Sequence, residues 1–218
     1  ADYVTGLPAW SRTVTISELI HQTSGIPDYV GLLYDAGYQD GDRTTNADAL
    51  KALAEARDSE FEPGTQWDYS NSNYLLLGIV VEAVSGASLP GFLSAEVFKP
   101  LGLDMVLDPA RPVPTLAVSY TGDDGNYADA PSAWEQTGDG SIQTTPSQLV
   151  IWADNFRTGA VGGPELLAAQ VDGAVDTGAE TGERYGAGIF VGTDGTLEHD
   201  GSWAGFLSDF AVSADRSH

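Results

Sequence analysis

At 218 residues, 42% of them hydrophobic and 10% aromatic, with no cysteine, the chain has the length and apolar content of one domain that needs no disulfide to hold its core. Acidic side chains number 32 against 9 basic, a formal net charge of −23. Such a surface repels duplex nucleic acid and anionic membrane, whose affinity for proteins comes from Lys and Arg displacing counterions. Lys51 and Lys99 are the only lysines, and 21 of the acids are Asp; this balance suits either a salt-rich milieu, where self-repulsion is screened, or an acidic secreted protein. The longest apolar run, residues 74–81, is closed by Glu82 and falls far short of the roughly 20 residues a bilayer demands. The chain opens Ala-Asp-Tyr-Val without Met, the expectation for a mature form or a piece of something longer, placed outside the cytoplasm.

In chain order, Thr15-Ile-Ser-Glu18 is a capping box, with a short helix to follow it and stop near Gly25-Ile-Pro27. Asn46 is placed to cap a helix reaching Arg57, with Leu50, Leu53 and Ala54 on one face. Asn71–Ser85 is apolar around most of its circumference, the mark of a buried helix, with Gly86 where a C-terminal glycine belongs. A further helix is predicted over 90–98, ending at Pro100-Leu-Gly102. Thr145-Pro-Ser-Gln148 starts another, with Pro at its first position and its end near Gly159. The last third reads as strands: 188–193 and 196–199 joined by Asp194-Gly195 as a type I′ turn, then 205–214, with Phe206, Ser208, Phe210 and Val212 on one face. Helices first and strands last predict an α+β fold, with a helical lobe over about 15–170 and a sheet-forming part over about 183–218 of a single domain.

Phosphate-binding loops, the G-x-S-x-G elbow and H-E-x-x-H are absent. His21, His199 and His218 form no metal-ligand pattern, and the acidic stretch Asp123-Asp124-Gly125-Asn126 matches no calcium spacing and is read as a solvated loop; neither metal nor cofactor is expected. Two segments stand out. Pro63-Gly64 fixes a turn ahead of Tyr69-Ser70-Asn71, which enters the apolar helix; alternate residues of an extended segment face one side, so Tyr69 and Asn71 can reach one point, or Asn71 simply caps the helix. The second is His199-Asp200-Gly201-Ser202, where glycine in a strand marks a close approach of backbone or ligand and His199 faces a ligand along the strand edge, or else sits in a polar turn.

Together with Leu19-Ile-His-Gln-Thr-Ser-Gly25-Ile-Pro, Val84-Ser-Gly86, Val97-Phe-Lys-Pro-Leu-Gly102, Asp139-Gly140-Ser and Gly205-Phe206, these segments resemble the serine β-lactamase and penicillin-binding family, in the branch of class C β-lactamases, DD-carboxypeptidases and related esterases. The resemblance implies an antiparallel sheet against a helical lobe, and acylation of a serine carried on S-x-x-K. It casts Tyr69 as the tyrosine that shuttles protons, Asn71 as the residue orienting the substrate amide and holding the lysine, and His199 as the third motif, where relatives carry Lys. The Gly201-Ser202 stretch supplies an oxyanion donor through Ser202 N–H. Imidazole is only partly charged at neutral pH, which tilts the expected substrate from penicillins toward esters, amides or D-amino-acid peptides, small molecules or pieces of peptidoglycan. No S-x-x-K occurs in the 218 residues, so the chain is expected to lack both ends of the family domain and, alone, to close its core incompletely. The competing expectation is a family module without a nucleophile that binds a ligand or partner.

Overall fold

The computed structural model describes residues 3–217; His218 lies outside them. After a 3-10 turn at Ala9–Thr13 come α1 (Ile16–Ile20), α2 (Tyr29–Asp35), α3 (Asn46–Glu55), α4 (Asn71–Ser85) and α5 (Leu89–Leu93), the last running into a π turn at Ser94–Phe98. The Thr15/Glu18 box forms with both reciprocal bonds. The α3 cap differs from expectation. Thr45, with Asp48, makes the capping box, while the Asn46 side chain reaches Thr137 instead, and the helix stops at Glu55 rather than Arg57. Helix α2 was not foreseen: Pro27 reads as a stop, yet Asp28 immediately restarts the helix by accepting from Val30 N at 2.8 Å. Burial of α4 is confined to its first half, at Ser72, Asn73, Leu75, Leu76 and Gly78, and Val84 is 68% exposed. Gly86 closes it in the left-handed conformation.

Between the helices and the main sheet lie two small antiparallel pairs, β1 (Val106–Leu107) with β4 (Ile142–Gln143), and β2 (Tyr120–Asp123) with β3 (Asn126–Asp129). The acidic stretch 123–126 is therefore the tip of the second hairpin, with Asp124 at φ 47° and Gly125 at φ 86°. The helix predicted from Thr145 to near Gly159 is split at Asp154 into α6 (Pro146–Ala153) and α7 (Asn155–Thr158). Only half of its capping box forms: Gln148 N donates to Thr145 Oγ1, but the Gln148 side chain takes Asp104 N. Helix α8 (Gly163–Asp172) follows.

The main sheet is a five-stranded antiparallel meander of β5 (Val175–Asp176), β6 (Arg184–Tyr185), β7 (Phe190–Val191), β8 (Leu197–Trp203) and β9 (Phe206–Val212), in that order. The β7–β8 hairpin exists, but its turn is not type I′. Gly195 N bonds to Gly192 O and Gly192 N to Thr196 O, and of the predicted pair only Gly195 has positive φ, which is a type I turn followed by a left-handed glycine. Two hairpin turns have both central residues at positive φ: Asp124-Gly125 between β2 and β3, and Ala204-Gly205, at 44° and 79°, joining β8 to β9. Strand β8 thus runs past His199 through Gly201 and Ser202.

The largest core cluster gathers Leu19, Leu33, Leu53, Leu75 and Trp134 with their neighbours among the first four helices; a smaller one, Ile189, Val191, Leu197 and Val212, lies under the sheet. No single helix is long and apolar enough to cross a membrane; among the described residues only the α4–α5 pair passes together, and it is bent by 76°.

Candidate active site

The site is assembled where the start of α4 meets β8. The chain reaches α4 by hydrogen-bonding along the loop after α1: Glu60 N to Gly25 O, Gly64 N to Thr23 O, Asp68 N to Gln22 O, and Ser70 N to Gln22 Oε1 at 3.0 Å. Gly25, at φ +70°, is required here, because a Cβ would run into the Phe61 carbonyl oxygen. Gln22 is fully buried, and its Oε1 also accepts from Asn73 Nδ2. That lacing fixes Tyr69 and Ser70 before the helix begins.

Tyr69 and His199, brought from 130 positions apart, lie with ring centroids 6.2 Å apart. Tyr185 stands beside both, edge-on to Tyr69 at 6.2 Å, with its hydroxyl 3.3 Å from His199 Nε2. His199 Nδ1 is 2.7 Å from the Asp200 carbonyl oxygen. A carbonyl only accepts, so Nδ1 carries a proton and Nε2 is the nitrogen that faces the Tyr185 hydroxyl. Phe190, 5.4 Å from the imidazole, and Trp67, 5.8 Å from Tyr185, complete an aromatic wall.

Asn71 is the first residue of α4 and does not cap it. Asp28 does: Asn71 N and Asn71 Nδ2 both donate to Asp28 Oδ2, at 2.9 and 2.8 Å. Asp139, in the bend before β4, accepts from the Tyr29 hydroxyl at 2.6 Å. Burial raises the Asp139 carboxyl to about 6, opposed by its bond from Tyr29 and reinforced by Asp28. Tyr69 is driven well above the ordinary phenol range, first by burial, then by Tyr185 and the charges of Asp139, Asp200 and Asp28. Every charged group acting on it is an acid, so the Tyr69 phenol is held protonated.

Gly201 and Ser202 continue β8, opposite Ser208 and Leu207 of β9. A Cβ on Gly201 would lie 2.7 Å from Ser208 Oγ, so a side chain here would require Ser208 to turn its hydroxyl aside. A two-residue turn closes on a hydrogen-bonded pair, here Trp203 and Phe206, and the ladder alternates from there. Ser202 N–H therefore points away from β9, onto the edge that β7 leaves uncovered, since β7 pairs only with Leu197 and Glu198. His21 stands apart at the end of α1, its Nδ1 on Ser17 O. Among the described residues no group of three or more His, Asp or Glu forms a metal cage.

A profile of the family described as Beta-lactamase matches residues 1–216. The chain belongs to this family. It is 37% identical over 92 residues to a penicillin-binding protein of Bacillus subtilis (strain 168), covering 42% of this chain and 20% of that one. It is 27% identical over 202 residues to a D-aminopeptidase of Gluconobacter oxydans (strain 621H), covering 87% of this chain and 37% of that one. The chain thus spans well under half the length of these two relatives. The crystal structure of a penicillin-binding protein from Bacillus halodurans superposes with a TM-score of 0.84 at 22% identity, over 97% of this chain and 67% of that one, and fixes the α+β, β-lactamase-like fold.

Tyr69, Asn71, His199, Gly201 and Ser202 were nominated from the sequence. Gln22, Asp28, Asp139 and Tyr185 had not been given roles, although the pattern Asp28-Tyr29 with Leu32 and Leu33 carries a helix-start signal that identifies Asp28 as a cap.

Proposed function

We propose that this chain is part of a serine hydrolase that forms an acyl-enzyme on amides of D-amino acids or short D-amino-acid peptides, its Ser-x-x-Lys nucleophile carried on sequence beyond these 218 residues. The observation that carries the reading is the meeting of Tyr69 with His199 beside the uncovered edge of β8. In this reading Tyr69 passes a proton between nucleophile and leaving group, and the Ser202 N–H is one donor to the oxyanion. A phenol held protonated among acids needs a neighbouring cation before it can act as a base, which is the service an incoming lysine renders.

The acids around Tyr69 oppose a substrate carboxylate there, and His199 in place of a lysine offers it little compensation. Neutral and cationic substrates fit this field better than penicillins, and the likeness to a D-aminopeptidase points the same way. The test is covalent labelling of the full gene product by a fluorophosphonate, followed by turnover of D-phenylalanine amide against its L enantiomer. Labelling with faster D turnover supports the reading; a gene product that no serine-directed probe modifies is instead a ligand-binding module of the same fold.

A further inference from the structure

Tyr185, on the two-residue strand β6, is 1% exposed, and its hydroxyl is where side chains from two other elements meet. That oxygen lies 3.3 Å from Nε2 of His199 on β8. It also reaches the hydroxyl of Tyr74 on α4, whose own proton goes to the Ile20 carbonyl oxygen at the end of α1, at 2.9 Å. The ring is held edge-on to Phe190 at 4.8 Å and to Tyr69 at 6.2 Å. Burial drives the phenol well above its ordinary range, so the hydroxyl keeps its proton. At this depth no further stretch of chain can reach the oxygen and replace those partners.

A hydroxyl has one proton to give and two lone pairs to receive with. Tyr74 spends its proton on Ile20 O, so between the two tyrosines only Tyr185 can donate. His199 Nδ1 carries a proton toward the Asp200 carbonyl oxygen, which leaves two states of Nε2. When Nε2 is bare, the Tyr185 proton goes to it. When Nε2 is protonated, it donates to the Tyr185 oxygen and the Tyr185 proton turns to Tyr74, so that every donor from His199 to Ile20 has an acceptor. The titratable groups that face or flank the imidazole, besides Tyr185, are Tyr69 at the α4 entrance and Glu198 and Asp200 on its own strand, whose side chains alternation sends to the opposite face. Phe190 of β7 and Phe210 of β9 carry no charge.

We propose that Tyr185 is a positioning residue that holds His199 by Nε2 and, by turning its hydroxyl between His199 and Tyr74, keeps the imidazole in one orientation beside Tyr69 whether or not the ring is charged. With Nδ1 on Asp200 and Nε2 on Tyr185, the imidazole is pinned at both nitrogens. Its spacing from Tyr69 is therefore set by a residue outside both motifs. The hold follows from the buried contacts alone; its effect on turnover rests on the serine-hydrolase reading above.

Tyr185→Phe keeps the buried ring and removes only its oxygen. Tyr74→Phe is the control, since it loses a buried hydrogen bond of the same kind, to Ile20 O, and leaves the Tyr185 contact with His199 in place. In proton–nitrogen NMR spectra of the full gene product with isotope-labelled histidine, His199 is identified by the signals missing in His199→Ala. At a pH of roughly 8.5, well above the ordinary imidazole value, the ring is expected in its Nδ1–H form, with the Nε2 resonance displaced by a hydrogen bond. Tyr185→Phe is expected to return that resonance to the position of a free ring nitrogen, and Tyr74→Phe to leave it unmoved. kcat/KM for D-phenylalanine amide is expected to fall about tenfold in Tyr185→Phe, the scale of one hydrogen bond, and less in Tyr74→Phe. An Nε2 resonance unmoved in Tyr185→Phe overturns the hold, and equal kinetic losses in the two variants overturn the role in turnover. Both results leave the hydrolase reading standing. A gene product that no serine-directed probe modifies removes that reading and the kinetic effect with it, while the nitrogen spectra still decide the hold.

Discussion

The helical side and the sheet side contribute to one site from unequal supports. Tyr69 and Asn71 stand at the entrance of a helix whose first turns pack Leu75 and Leu76 against Leu19, Leu33, Leu53 and Trp134, with polar ties from Gln22 and Asp28 closing that entrance. His199, Gly201 and Ser202 stand on β8, whose other partner strand β9 exposes Leu207 at 82% and Phe206 at 39%, over a much smaller cluster. One half of the site is thus held by packing and buried hydrogen bonds, the other mainly by a hairpin ladder. Substitutions on the two sides should therefore have costs of different size and kind.

The largest expected effect on stability is on the helical side. Leu75 is fully buried, and Leu75→Ala is expected to cost about 3–5 kcal/mol in chemical denaturation, through lost burial and the cavity left behind. A cost below about 1 kcal/mol would mean that the helical lobe is not the stable half.

Asp139 sharpens the same contrast through pH. Its carboxyl is raised from 3.8 to about 6 by burial, so between those values the folded state binds more protons than the unfolded one. Stability therefore falls as pH rises through that window, and the full cost is present above it. Asp139→Asn keeps an acceptor for the Tyr29 hydroxyl and never ionises. It is expected to be more stable than the unsubstituted chain by about 3 kcal/mol above pH 7, the advantage vanishing near pH 4. Denaturation curves that coincide at pH 8 would show that Asp139 is solvated, not buried, in its ionised form.

The smallest effect belongs to the sheet side. Leu207→Ser removes an exposed side chain from β9 and is expected to change stability by no more than about 0.5 kcal/mol. A loss of several times that amount would show that β9 is covered in solution, contrary to the exposure seen here.

The sequence disclosed what is local. The Thr15 box, the extent of α4 and its Gly86 stop follow from neighbouring residues and appear where the pattern puts them. Tyr69 and His199 could be nominated because each lies in a short motif of a family resemblance, although periodicity alone left their roles open. What stayed hidden is long-range or depends on turn geometry. Asp28 meets Asn71 across 43 positions and Tyr29 meets Asp139 across 110; no window of sequence contains either pair. The turn in the β7–β8 hairpin was misjudged because Asp-Gly signals a turn without fixing which residues take positive φ: Asp124-Gly125 takes it at both residues, Asp194-Gly195 only at the glycine, and the two-residue turn between β8 and β9 holds alanine at Ala204, an uncommon choice. Tyr185 escaped notice because β6 is only two residues long, too short for alternation to register.

The central claim is that Tyr69 transfers the proton in acyl-enzyme formation, and the most direct measurement is the acylation rate of the Tyr69→Phe variant of the gene product by a serine-directed probe. Among the described residues its hydroxyl has no hydrogen-bond partner to lose, so the variant should fold with unchanged stability and acylate about 10²–10⁴-fold more slowly. An acylation rate equal to that of the unsubstituted enzyme would contradict the assignment.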